Sequence, residues 1–172
     1  MLVCPVAGCD YVKPWKWGPK IYKRKEHEDM TTYTPMETPQ DRENQRRMLE
    51  RYCKSLGAGF DFRMTETMDK IDATIYRPDG LPVEKAEATQ RGVPWGTYDT
   101  VTRNRNKLEP LVYQCPKGLV PIFITEWSDR RMFVCRLSIA LLHRCQTWTQ
   151  QRPGELPDQV YGIPLDKFKE VA

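Results

Sequence analysis

The chain has very little histidine, two residues in 172, and its basic side chains outnumber its acidic ones by only 27 to 23, for a net charge of +4. A protein that coats nucleic acid by charge alone is usually more basic, so any such contact is expected to be local. No window approaches the roughly 18 consecutive apolar residues a membrane helix needs. The opening MLVCPVAGCDYVKPWKWG has no apolar run long enough for a secretory signal. Internal repeats and low-complexity tracts are lacking, and so are G-x-x-x-x-G-K-[ST], G-x-G-x-x-G and G-x-S-x-G. Nucleotide hydrolysis, dinucleotide redox and esterase chemistry lose support with them. The expectation is a cytoplasmic protein with no membrane partner and no nucleotide cofactor.

The six cysteines, Cys4, Cys9, Cys53, Cys115, Cys135 and Cys145, are scattered, and several sit inside apolar patterns. They read as buried free thiols in a reducing compartment rather than a disulfide framework. Cys4 and Cys9 with His27 give at most three zinc ligands, whereas a structural zinc takes four. His143 and Cys145 fall in an apolar helical pattern and read as core.

The composition, 40% apolar and 29% charged, is that of one ordinary soluble domain. Residues 1–36, rich in Pro, Trp, Lys and Tyr, are expected to form an irregular N-terminal arm, and residues 37–172 the domain. A helix is predicted over Pro39–Leu56: Thr38 suits the N-cap, Pro39 the first position, and Met48, Leu49, Tyr52, Cys53 and Leu56 form a stripe of 3.6-residue period. Asp41 and Gln45 are its polar residues predicted to face inward. Strands at Lys70–Arg77 and Leu81–Arg91 flank the turn Pro78-Asp79-Gly80. A helix is expected over about Thr97–Cys115, bent or divided at Pro110. A hairpin is expected over Leu119–Glu126 and Arg131–Leu137, a short helix over Ser138–Gln150, and a cap at Gly162–Leu165. The result is an α/β fold, a small mixed sheet flanked by helices.

Asp72 and Glu87 lie on adjacent predicted strands. Alternation puts Lys85, Glu87, Thr89 and Arg91 on one face and Glu84, Ala86, Ala88 and Gln90 on the other. Two carboxylates brought together repel unless a cation neutralises them, and oxygen-only ligands suit Mg²⁺ or Mn²⁺. The plainer alternative is a pair of solvated strand carboxylates with basic cross-strand partners.

The order of elements over residues 38–137 resembles the restriction-endonuclease-like PD-(D/E)xK nuclease superfamily, including its small phage-encoded members. TPQDRENQRRMLERYCKSLG resembles that family's first helix, KIDATIYRPDG its Asp strand and VEKAEATQRG its (D/E)-x-K strand. YDTVTRNRNKLEPLV resembles the basic helix that follows, and LVPIFITEWSDRRMFVCRL the last hairpin. The resemblance implies a metal-dependent DNA nuclease with a restriction-endonuclease-like core. Asp72, Glu87 and the Ala88 carbonyl would hold Mg²⁺ or Mn²⁺, and Asp41 or Gln45 a metal-bound water. The motif's Lys is replaced by Thr89, so Lys85 or Lys107 would orient the water and Arg91 would hold the phosphate. Without such compensation, the fold would serve a nucleic-acid-binding or phage assembly component, found in the virion rather than the host cytoplasm.

A second basic region lies in the arm, where Lys13, Lys16, Lys20, Lys23, Arg24 and Lys25 are interleaved with Trp15, Trp17 and Tyr22. Cations neutralise phosphates and aromatic faces stack on bases, although the tryptophans could equally pack on the domain. Arg103 and Arg105, with Arg130 and Arg131, would widen a DNA-binding surface. Cleavage of both strands would favour a homodimer.

Overall fold

The computed structural model describes residues 21–24, 27–32, 38–66, 71–151 and 157–172. The chain divides into two units, Met1–Thr38 and Pro39–Ala172. In the first, strands β1 (Ile21–Arg24) and β2 (His27–Thr32) pair antiparallel, with Ile21 opposite Thr32 and Arg24 opposite His27. This corrects the expectation of an arm without strands. A ladder needs only backbone N–H and C=O groups, so the missing apolar alternation did not forbid one. Lys23 and Arg24 fall on β1; Cys4, Cys9, Trp15, Lys16, Trp17 and Lys20 lie outside the described residues.

The second unit opens with helix α1 (Pro39–Leu56). Asp41 in its first turn and Lys54 in its last complement the helix dipole, and Gly57, at φ 126°, takes the chain out of it. Strands β3 (Asp61–Met64), β4 (Ala73–Tyr76) and β5 (Pro82–Gln90) follow. The β4–β5 turn closes with Gly80 N–H donating to the Arg77 carbonyl at 2.8 Å, and Gly80 itself at φ 79°. After β6 (Thr100–Asn104) and α2 (Arg105–Tyr113) come β7 (Val120–Glu126) and β8 (Met132–Arg136). Helix α3 (Ile139–Arg144), β9 (Gln146–Gln150), β10 (Asp158–Pro164), a 3₁₀ turn (Leu165–Lys167) and β11 (Lys169–Val171) complete it.

Six strands form a mixed sheet in the order β11-β8-β7-β5-β4-β3. Only β5 and β7 run parallel, which requires a crossover, and residues 91–119 with β6 and α2 supply it. The order β6-β10-β9 makes a second, antiparallel sheet. One core lies between α1 and the six-stranded sheet, built from Met48, Leu49, Tyr52, Ala73, Ile75, Ala86, Ala88, Ile122 and Ile124. The other face packs Phe123, Phe133 and Cys135 against α2, α3 and β10 through Leu108, Leu111, Leu142 and Ile163. Trp95 stacks on Phe133 there, ring centroids 3.5 Å apart, and meets Trp127 edge-on.

Three sequence expectations are corrected. The helix expected over Thr97–Cys115 is strand β6 followed by α2, divided at Arg105; Pro110 lies inside α2. Thr100, Val101 and Thr102 are β-branched and pair with β10, Val101 opposite Ile163, which overrides a helix-compatible spacing. The helix expected over Ser138–Gln150 stops at Arg144, after a start capped by the Ser138 hydroxyl, which accepts from Leu141 N–H at 3.1 Å. Its second half is β9. The cap expected at Gly162–Leu165 is the end of β10 and the first residue of the 3₁₀ turn.

Among the described residues no helix is long and apolar enough to cross a membrane. The thiols of Cys53, Cys115, Cys135 and Cys145 are free. Burial raises the Cys53 pKa to about 11 and that of Cys135 to about 12, which keeps both protonated and unreactive at neutral pH.

Candidate active site

In the β4–β5 ladder Ala73 faces Ala86, and one step further that register sets Asp72 across from Glu87. Both side chains point to the α2 side of the sheet. Asp72 is 4% exposed and Glu87 is fully buried. The Asp72 N–H donates to the Ala86 carbonyl at 3.0 Å, and Asp72 Oδ2 accepts from Ala88 N–H at 2.8 Å. The backbone on both sides of Glu87 thus fixes Asp72.

Two cations reach this pair from the crossover. Arg103 on β6 donates to Glu87 Oε1. Lys107, in the first turn of α2, places Nζ 3.9 Å from Asp72 Oδ1 and 4.0 Å from Glu87 Oε2. Those lengths are ion-pair contacts, too long for hydrogen bonds. Glu87 Oε2 is buried without a hydrogen-bond partner. The Asp72 carboxyl sits well above the usual carboxylate range, first because of burial and then because of the Glu87 charge; Lys107, the Ala88 N–H and Arg103 oppose the rise.

The side-chain donors brought together here, the Asp72 and Glu87 carboxylates, are all oxygen. Among the described residues no group of three or more His, Cys, Asp or Glu side chains gathers. The set fits a hard divalent cation of the Mg²⁺ kind, which binds through one or two carboxylates and keeps several waters. The unbonded buried Glu87 Oε2 is the atom such a cation would satisfy.

The other residues singled out in the sequence divide by location. Lys85 shares the Glu87 face, but its Nζ donates to Thr74 Oγ1 at 2.7 Å rather than to a carboxylate. Thr89 is half-buried, opposite Thr125 of β7. Arg91 donates to the Thr102 carbonyl and ties the end of β5 to β6, the strand that carries Arg103. Arg105 forks onto Glu109 at 2.8 and 2.6 Å and lies over the Tyr161 ring.

Asp41 and Gln45 sit on α1, across the sheet from the carboxylates. Gln45 faces inward as expected, its Oε1 buried and without a hydrogen-bond partner. Asp41 is exposed, contrary to expectation, because it belongs to the first turn, whose N–H groups favour a carboxylate in water.

Sequence reasoning placed Arg103 on an outer basic surface and missed its bond to Glu87. Reading 100–104 as a strand puts Val101 and Arg103 on one face, and Val101 is buried. A further buried carboxylate, Glu84, was also missed. It lies on the α1 face, where Tyr52 Oη donates to it at 3.0 and 3.2 Å and Arg136 lies 4.0 Å away. No family model matches this chain, and no curated protein or solved structure matches it either.

Proposed function

We propose that Pro39–Ala172 is a restriction-endonuclease-like domain that hydrolyses DNA phosphodiester bonds with Mg²⁺ or Mn²⁺ at Asp72 and Glu87. One observation carries the reading: two buried carboxylates face each other, with an unbonded Glu87 oxygen and a lysine about 4 Å from both. The order of elements supports it: α1, the strand β4 that Asp72 leads into, the Glu87 strand β5, the basic helix α2 and the strands β7 and β8 come in the order of the superfamily it resembles, with β3 and β6 interposed.

The Ala88 N–H engages Asp72 Oδ2, leaving Oδ1 on the Lys107 side. Asp72 and Glu87 would hold the cation, which would supply Lewis acidity, lowering the pKa of a water and offsetting charge on the leaving oxygen. Lys107 orients that water and balances negative charge on the phosphate, the work of the motif lysine that Thr89 replaces. Arg103 exchanges Glu87 for a phosphate oxygen, a partner its planar fork suits. Arg91 keeps β6 docked so that Arg103 stays within reach.

A second reading rests on the same ion pair. Arg103 and Lys107 together already balance Asp72 and Glu87, as suits a nuclease fold that has become a nucleic-acid-binding or assembly component.

The test incubates plasmid and single-stranded DNA with the protein, D72N or E87Q in Mg²⁺, Mn²⁺ or EDTA, and records melting with and without the cation. Cation-dependent cleavage lost in both variants, with a cation-induced rise in Tm for the wild type alone, is expected. At 100 times the Kd a ligand stabilises by about 2.7 kcal/mol, an easily measured shift. DNA retention without cleavage or cation response would select the second reading.

A further inference from the structure

Edge strands expose unpaired N–H and C=O groups, and proteins usually blunt them with charge, proline or a bulge. Among the described residues of the second unit, three of the four sheet edges follow that rule. β3 carries Asp61 and Arg63, β11 carries Lys169 and Glu170, and β6 carries Arg103. The fourth does not. β9 is Gln146-Thr147-Trp148-Thr149-Gln150, without charge, proline or a register shift against β10, and Gln146 through Thr149 are all exposed.

Its sequence also reads the same in both directions. Antiparallel pairing with a second β9 centred on Trp148 sets Gln146 opposite Gln150, Thr147 opposite Thr149 and Trp148 opposite Trp148. A two-fold interface has to be self-complementary in this way, because each residue meets the partner of its own mirror position. Threonine–threonine and aromatic pairs directly opposite are favourable, and no like charges meet. Trp148 is 37% exposed and its ring lies over Gly162, so it can pack against its symmetry mate without leaving its place on the sheet.

We propose that β9 pairs antiparallel with β9 of a second copy of this chain about a two-fold axis through Trp148. The three-stranded sheet then becomes a continuous six-stranded one, β6-β10-β9 joined to β9-β10-β6. The inference is independent of the nuclease reading.

The register makes the test specific. In the full-length protein T147K/T149K puts lysine opposite lysine twice, whereas T147E/T149K puts glutamate opposite lysine twice. Sedimentation velocity over a concentration series is expected to show a wild-type dimer, a dimer weakened roughly tenfold or more in T147K/T149K, and recovery in T147E/T149K. Circular dichroism melting identifies a variant that has lost its fold, and the charge-paired variant tests the same positions with one lysine retained. A wild type that stays monomeric at every concentration overturns the proposal. So does a dimer indifferent to T147K/T149K, and so does a T147E/T149K dimer as weak as the lysine pair.

Discussion

The Ala88 N–H donates to Asp72 Oδ2 across the β4–β5 ladder, so the residue next to Glu87 in sequence clamps the carboxylate opposite Glu87 in space. The clamp holds two like charges close together in a buried site. The strands therefore carry an electrostatic strain that Arg103, Lys107, a proton on Asp72 or an added cation relieves.

Burial, and after it the Glu87 charge, sets the sign of the Asp72 contribution to stability. With its pKa raised in the folded state, the folded protein holds the proton more tightly than the unfolded chain. Stability is then greatest below the unfolded value of about 3.9 and is lost as pH rises through the raised one. D72N keeps an acceptor for Ala88 and removes the charge. Without added cation, D72N is expected to melt higher than the wild type at pH 7, by roughly 2–4 °C for each kcal/mol relieved. The difference should close as pH falls into the ordinary carboxylate range; equal melting at pH 7 would contradict the strain.

Among the described residues, Lys107 is the lysine that reaches both carboxylates, at 3.9 and 4.0 Å. Under the nuclease reading K107A is expected to slow cleavage roughly 10²–10⁴-fold, with DNA retention in a gel shift nearly unchanged. A lysine at 89 stands two residues beyond Glu87 on the same face. T89K in the K107A background is expected to recover part of the rate. A K107A enzyme as fast as the wild type would remove Lys107 from the chemistry.

Tyr52 is the hydrogen-bond donor to buried Glu84. Burial raises the Glu84 pKa and the Tyr52 hydroxyl opposes that rise. Y52F leaves the carboxylate with Arg136 at 4.0 Å, at a cost of about 1–3 kcal/mol. Because the bond is to the charged form, urea denaturation should show a larger loss at pH 7 than near pH 4. A loss independent of pH would assign the effect to packing alone.

Gly162 lies beneath the Trp148 ring, where an added Cβ would stand 2.6 and 2.7 Å from two ring carbons. G162A is expected to displace the ring from β10 and to cost about 1–3 kcal/mol. Tryptophan fluorescence should shift to the red as the indole meets more water. An unshifted spectrum with wild-type stability would show that the ring yields freely.

What the sequence disclosed is uneven, and the reasons are local. Helix α1 runs from Pro39 to Leu56 as its cap, proline and apolar stripe predicted, because each of these signals is contained within the element. The β4–β5 hairpin was legible for the same reason, through Asp79-Gly80. β6 and β9 were not, since Val101 pairs with Ile163 and Trp148 with Val160, partners about 62 and 12 residues away. Asp72 and Glu87 could be set face to face from alternation. Which cation meets which oxygen depends on the crossover from 91 to 119 and was settled only by the fold.

Strand β5 has a ladder on each side and a packed core on each face, and its Ala86, Glu87 and Ala88 have essentially no solvent access. Amides in such a strand exchange with solvent only when the whole unit opens, far more slowly than those of edges and loops. Glu87 therefore rides on a strand expected to be among the slowest of the unit to exchange, while the cations opposite it are carried by a connecting segment. Any tuning of the site short of unfolding must come from the side where Arg103 and Lys107 enter.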